Sequence, residues 1–400
     1  MSKETTMKIT HVVGFPLDFN GNLTRILGEA TCVAKLGYEV EVLVSENVPK
    51  KNLSRAIQNG VKFRYLKPMI PSGGLGWRLN NTVPLSIGTM RSVLADGRGL
   101  IFHVAAPSPV TKPLTVTEIS KRFKKPRILD LHDPWSADPF SSKPLSVFQT
   151  QIMRYVINNA DLVVAAHTAL ISLIKKINKH KPVELIPNGV DTDLLSPKPR
   201  NGAIAESIGI EANDFVVAFS GHILEQKGLE VLVRSSAIVR QKHENVKYLI
   251  IGDGPAKEKV QVLVEQLHLR DLFTFTGYLP QELMAEYLSV ADLCVAPYKP
   301  MPFFKVSLPE TPLKVVEYMA LGKPVLMSRI SDENVISWSG GGLLLTPDDV
   351  HELAGTMMNL IENTKLRKEM GEKGRRYVEE NLSWKRISRK LIEIYESINT

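Results

Sequence analysis

The stretch Phe215-Val-Val-Ala-Phe-Ser-Gly-His-Ile-Leu-Glu-Gln-Lys-Gly228 sets a short apolar run, a glycine-bearing loop and the start of a helical pattern in immediate succession. An apolar run of that length, bounded by glycine, reads as a buried strand of the kind found in parallel sheets covered by helices. The same succession recurs in both directions from it. Onward, strands read at 215–219, 248–251, 273–276, 293–296, 324–327 and 343–345, with helices near 229–240, 257–267, 281–289 and 312–321. Backward, strands read at 8–13, 39–44, 62–66, 100–104, 127–131, 161–165 and 183–186, with helices near 23–35, 85–95, 147–158 and 169–177. Helices near 350–362, 365–380 and 384–398 close the chain. Strands alternating with helices predict an α/β fold of parallel sheets.

A chain of 400 residues exceeds the roughly 250–300 at which one core stops growing, so two domains are expected. The stretch from Asn188 to about Asp214, with Pro197, Pro199, Asn201 and Gly202, reads as the hinge. It divides two Rossmann-like domains, 1–196 and 197–383, and the helix 384–400 follows them.

Composition narrows the classes. The apolar fraction is 44% and the charged fraction 23%, ordinary for a globular protein. Cys32 and Cys294 lie far apart in apolar contexts, which argues against a disulfide framework or a zinc site and fits a reducing cytoplasm. No apolar run reaches membrane-spanning length, and MSKETTM at the start carries no signal-peptide core. The net charge of +8 is unevenly spread: 27 Lys+Arg face 15 Asp+Glu through residue 200, and 23 face 27 after it. Basic runs at 121–127 and 175–181, and Trp77 in the Pro/Gly/Asn-rich loop 68–84, point to an anionic membrane surface. Nucleic acid is not expected, since no nucleic-acid-binding motif accompanies the charge.

Three places carry candidate chemistry. The loop 14–22 holds Gly14 and Gly21 ahead of a helix but lacks GxGxxG, so a dinucleotide site, and with it an NAD oxidoreductase, is not supported. In the opening stretch, the strand ends at Gly221 and Lys227 stands just before a helix start, a suitable place for a diphosphate. In Glu310-Thr-Pro-Leu-Lys-Val-Val-Glu317, Thr311 fits an N-cap and Pro312 an N1 residue. The N–H groups of Leu313 and Lys314 then belong to the unsatisfied first turn, where they can hold a phosphate oxygen. Glu310 and Glu317 lie about two turns apart on one face and suit sugar and ribose hydroxyls. His132 follows the strand 127–131 at its carboxyl end, where open α/β sheets bind ligands. Asp130-Leu-His-Asp133 and Asp191-Thr-Asp193 imitate metal-ligand spacing but read as turn chemistry.

Taken together, Ile186-Pro-Asn-Gly-Val-Asp-Thr-Asp193, the Gly221–Gly228 stretch, Ile251-Gly-Asp-Gly254, Ala291-Asp-Leu-Cys-Val-Ala-Pro297 and Pro312-Leu-Lys-Val-Val-Glu-Tyr-Met-Ala-Leu-Gly-Lys-Pro-Val325 resemble glycosyltransferase family 4. The resemblance covers nearly the whole chain. It implies a GT-B fold, two Rossmann-like domains facing across a cleft, and a retaining hexosyltransferase-type activity. The acceptor, a glycan, lipid or small molecule, would belong to the first domain. The donor, a nucleotide-diphosphate sugar such as a UDP- or GDP-sugar, would belong to the second. No cofactor and no metal are implied. His132 matches the family's histidine close to the reacting sugar, and Lys227 its diphosphate ligand. Glu317 would meet the ribose, and Glu310 with the Thr311-Pro312-Leu313-Lys314 backbone the sugar and phosphate. Gly21, Gly221, His222 and Gly252 complete the expected donor surroundings. The helix from Trp384 resembles one that crosses back to the first domain.

Two departures bear on this. Six residues separate Glu310 from Glu317 where the family has seven, with Pro309 at the family's position. His222 stands where the family often has arginine, so phosphate binding leans on Lys227. Two rival readings follow: a nucleotide-sugar epimerase of the same fold, and a catalytically impaired sugar- or lipid-binding protein. The expected location is cytoplasmic, peripheral at the inner membrane face.

Overall fold

The structure is a computed structural model of the 400-residue chain. It describes residues 7–12, 21–45, 53–66, 101–106, 111–132, 143–300, 311–329 and 334–399. The expected helix 85–95, the Trp77 loop, the loop 14–20, Glu310 and Asp133 lie outside them.

The chain forms two compact units, Met1–Gly189 with Trp384–Thr400, and Val190–Ser383. The first unit therefore closes at Gly189, ahead of the expected 196. Residues after it fold with the second unit: Val190 N–H donates to Leu382 O at 2.9 Å, Leu195 is buried in the second core, and Asp191 Oδ1 accepts from the N–H groups of Asp193 and Leu194. The Asp191 carboxylate is thus the turn group its position suggested.

In the first unit, seven strands run β1 Lys8–Val12, β2 Glu39–Ser45, β3 Lys62–Leu66, β4 Ile101–Ala106, β5 Arg127–Leu131, β6 Leu162–Ala165 and β7 Val183–Leu185. They lie in the order β3-β2-β1-β4-β5-β6-β7. In the second, six strands run β8 Phe215–Ser220, β9 Val246–Ile251, β10 Phe273–Gly277, β11 Leu293–Ala296, β12 Val325–Ser328 and β13 Gly342–Leu345, in the order β10-β9-β8-β11-β12-β13. The pairings between these strands are parallel. In each unit the order reverses beside its first strand, at β1/β4 and at β8/β11. That reversal is where doubly wound sheets open a crevice at the strands' carboxyl ends.

β8 shows why its sequence is almost wholly apolar. Val216 and Ala218 enter one core with Val315, Val316 and Met319, while Val217 and Phe219 enter another with Leu229, Leu232 and Val233. Alternate side chains point to opposite faces, and helices cover both. Helix 229–240 thus lies on one face of the sheet and helix 313–320 on the other.

The terminal helix Trp384–Asn399 belongs to the first unit. Trp384, Ile387, Leu391, Ile394 and Tyr395 pack with Ile26, Ala30 and Val33 of the helix Gly21–Lys35. A Cβ on Gly28 or on Gly189 would collide with the Trp384 indole, so both glycines make room for it. Truncating a buried tryptophan of this kind costs about 3–5 kcal/mol.

Candidate functional site

In the second unit, the carboxyl ends of β8 and β11 bring three loops together. β8 leads into Gly221, whose φ of 121° is open to glycine alone. A short 3₁₀ turn, Glu225–Lys227, follows and ends on Gly228 at φ 68° before the helix Leu229–Arg240. Gly228 is there because a Cβ would overlap the Pro297 carbonyl beyond β11. The loops are tied where Lys299 N–H donates to Gln226 O at 3.1 Å and where Lys299 pairs with Glu230. Gly252, at φ 139°, passes against Gly221 O, where a Cβ has no space.

The third contribution is the helix Leu313–Ala320. It begins one residue later than expected. Pro312, at φ −60° and ψ 128°, is the cap, and no side chain caps the first turn. Thr311 is buried ahead of the cap rather than being the cap itself. Proline fixes φ and donates nothing, so it ends the preceding chain as well as threonine would. The N–H groups of Leu313 and Lys314 still belong to the first turn, whose donors a helix cannot pair internally. Tyr318 pins this helix to β8, since its hydroxyl accepts from Ser220 N–H at 2.6 Å.

Two ammonium groups meet here. Lys227 Nζ lies 4.9 Å from the centroid of the buried Tyr298 ring, and Lys314 Nζ lies 6.0 Å from the same centroid. Lys314 Nζ also sits 3.7 Å from the Phe219 ring centroid and 3.1 Å from where a Gly221 Cβ would be. It is buried and has no hydrogen-bond partner. Burial, then the charge of Lys227, push the Lys314 ammonium well below the usual lysine range, and Glu317 opposes them. The neighbouring His222 is exposed. Its imidazole is held below 6.5, first by partial desolvation and then by Lys227 and Lys314. Near neutrality His222 is therefore uncharged, and Lys227 and the buried Lys314 are the lysines this crevice offers an anion, among the described residues. The lysine side chain at 314 was not anticipated from sequence, which assigned only its backbone. Glu317 stands half-buried on the same helix.

In the first unit, Gly21 opens the helix Gly21–Lys35. Arg25 and Glu29 face inward from it, an i,i+4 pair with Arg25 Nε 3.0 Å from Glu29 Oε1. Asp130, at the end of β5, accepts from Arg25 NH2 at 3.3 Å and from His132 Nε2 at 2.8 Å, and His103 Nε2 lies 3.2 Å from it without hydrogen-bond geometry. Asp130 is therefore the centre of a buried ionic cluster, which corrects its reading as turn chemistry. Burial pushes its carboxyl up, but Arg25, His132 and His103 outweigh that and hold it well below the usual range. Glu29 goes the other way: burial, then Asp130, raise it against the pull of Arg25. His11 stacks on His103 with centroids 4.6 Å apart, and burial and His103 hold it well below 6.5.

His11, Glu29 and His103 each offer an atom within 4.8 Å of the others, close enough for a shared cation. The donor set does not suit one. The Arg25 guanidinium already lies on Glu29, and His103 Nε2 faces Asp130. Arg25, Glu29, His103 and Tyr395 went unrecognised in the sequence. Their one signal was ionisable side chains at core positions: histidines inside apolar strands, and Arg25 with Glu29 on the inner face of an amphipathic helix.

Comparison with known proteins agrees with both halves. Residues 20–194 match the family described as Glycosyltransferase Family 4, and residues 201–377 match Glycosyl transferases group 1. N-acetyl-alpha-D-glucosaminyl L-malate synthase of Bacillus anthracis is 25% identical over 301 residues, covering 75% of this chain and 73% of that protein. An uncharacterised glycosyltransferase of Methanocaldococcus jannaschii is 26% identical over 191 residues, 48% of this chain, and the match spans only 47% of that protein's length. Among solved structures, Anabaena HepE in complex with UDP-glucose superposes with a TM-score of 0.75 at 18% identity, covering 98% of this chain and 100% of that one.

Proposed function

The chain belongs to glycosyltransferase family 4 with a GT-B fold, and we propose that it is a retaining hexosyltransferase using a nucleotide-diphosphate sugar. The donor diphosphate lies at the carboxyl ends of β8 and β11, and the sugar goes to a hydroxyl of a glycan, lipid or small molecule. The observation that carries this is the convergence of Lys227, Lys314 and the start of helix 313–320 on one crevice. That crevice lies at the strand-order reversal. Cleaving the sugar–phosphate bond leaves negative charge on the departing nucleoside diphosphate. Preorganised cations and first-turn N–H groups stabilise that charge without reorganising. Lys314 supplies the second cation that His222 does not, because its unpaired buried amine takes up a proton and gains a partner when a phosphate arrives. Glu317, on the same helix, takes the ribose hydroxyls. A UDP- or GDP-linked donor suits this site, and the reading needs no metal because the lysines supply the positive charge. The acceptor and His132 belong to the first unit.

The same reading places the enzyme in the cytoplasm, on an anionic membrane surface. Supporting this, Phe123 is exposed within the basic run Lys121, Arg122 and Lys124, and Val147 and Phe148 are exposed on the same unit. Among the described residues no helix is long and apolar enough to cross a membrane.

The test is sugar transfer by Lys227→Ala at saturating acceptor. Loss of one preorganised charge contact in such a site costs about 10²–10³ in kcat. Turnover near the wild-type rate would remove Lys227 from the donor site.

A further inference from the structure

Tyr395, on the terminal helix, is connected to His132 through two side chains. Its hydroxyl lies 2.7 Å from His103 Nδ1. His103 Nε2 lies 3.2 Å from Asp130 Oδ2, and the same oxygen lies 2.8 Å from His132 Nε2. All four side chains are buried. Their chemistry fixes where the protons sit. Asp130 is ionised and accepts only, so His132 must present an Nε2–H to it, while His103 Nε2 lies 3.2 Å away outside hydrogen-bond geometry. Burial, then the charges of Glu29 and Asp130, hold the Tyr395 phenol well above its usual range, so it keeps its proton and donates. With Tyr395 donating, His103 accepts on Nδ1 and carries its proton on Nε2. The Tyr395 hydroxyl thus donates to His103, whose Nε2 faces the Asp130 oxygen that His132 bonds.

We propose that Tyr395 and His103 are positioning residues for His132. The terminal-helix hydroxyl holds His103 in its Nε2–H form, and that N–H faces the Asp130 oxygen that His132 bonds. That oxygen fixes the orientation of the His132 ring. Arg25, Glu29 and His11 are the other ionisable groups facing this chain of contacts. Arg25 holds the carboxylate from its second side, with Nε 3.3 Å from Oδ2 and NH2 3.3 Å from Oδ1. The His103 arm is the one that bonds the terminal helix among the described residues. Loss of the Tyr395 hydroxyl removes the hydrogen bond that favours the Nε2–H tautomer of His103. In the other tautomer a lone pair faces the carboxylate, and His132 must readjust.

This inference rests on the reading that His132 serves the transfer step, but its first test does not. Nitrogen–proton correlation spectra of histidine-labelled protein report the tautomer of each imidazole. In the wild type, His103 and His132 should both read as Nε2–H forms. In Tyr395→Phe, which keeps the ring in the core, His103 should become a tautomer mixture and the His132 signal should shift. An unchanged His132 signal in that variant overturns the proposal, whatever the protein's activity. Should Tyr395→Phe not fold, the His103 variants decide. His103→Gln keeps a donor facing Asp130 and should preserve the His132 signal, while His103→Ala should shift it; identical signals in both overturn the proposal. In the transfer assay, Tyr395→Phe should lower kcat about fivefold, the effect of one net hydrogen bond, with KM for the donor unchanged. A rise in KM at constant kcat contradicts it. Absence of transfer by the wild type would instead count against the functional reading and leave the spectra to judge this one.

Discussion

Lys314 Nζ lies 3.7 Å from the centroid of the Phe219 ring, buried and without a hydrogen-bond partner. A buried unpaired ammonium is costly. Here burial and Lys227 lower its proton affinity well below that of an ordinary lysine, whose value is 10.5. Between the folded and unfolded values, the unfolded chain holds the proton and the folded chain does not. Stability of the unliganded protein should therefore rise with pH up to about that of ordinary lysine, and fall on acidification through the folded value.

A bound diphosphate reverses the balance, because it favours the charged lysine. Donor binding should take up protons, read by calorimetry in buffers of differing ionisation enthalpy. Lys314→Met should abolish the uptake and weaken donor binding about tenfold or more, the size of a charged hydrogen bond. It should not lower Tm. Equal uptake in the variant would show that Lys314 does not meet the phosphate.

Gly228 tests the loop that carries Lys227. Its φ is 68°, and a Cβ would overlap the Pro297 carbonyl. Gly228→Ala should destabilise by about 1–3 kcal/mol in urea unfolding. Gly209→Ala is the control, at φ 71° with nothing within 4 Å of the added carbon. It carries the backbone strain without the collision and should cost less. Equal losses at both positions would mean that Pro297 yields freely.

The exposed Phe123, Val147 and Phe148 bear on the membrane reading. The protein should sediment with vesicles rich in anionic lipid at low salt and be released as salt screens the attraction. Val147→Ser with Phe148→Ser should weaken sedimentation, while donor binding stays unchanged. Failure to sediment at low salt would remove the membrane from the account.

Much of this was legible in the sequence because it is local. The strand-then-helix pattern gave both sheets, and Gly221, Gly228 and Lys227 marked by their order the glycine-bounded turn that follows β8. The helix start at 313 was displaced by one residue because threonine and proline both fit a cap, and only backbone angles separate them. The ionic cluster was not legible. Arg25, His103, Asp130 and Tyr395 are spread along nearly the whole chain, and no spacing rule joins residues that meet only through sheet order. Lys314 was read as backbone because its side-chain position depends on Phe219, a strand residue far earlier in the chain. Glu310 lies outside the described residues.

The central claim is that the β8/β11 crevice binds a nucleotide sugar through Lys227 and Lys314. Thermal shift against a panel of UDP- and GDP-sugars tests it most directly, since a ligand at 100 times its Kd adds about 2.7 kcal/mol to stability. At least one donor should raise the Tm of the wild type. The same donor should have no effect on Lys227→Ala/Lys314→Met. An equal shift in the double variant, or no shift with any donor in the wild type, would contradict it.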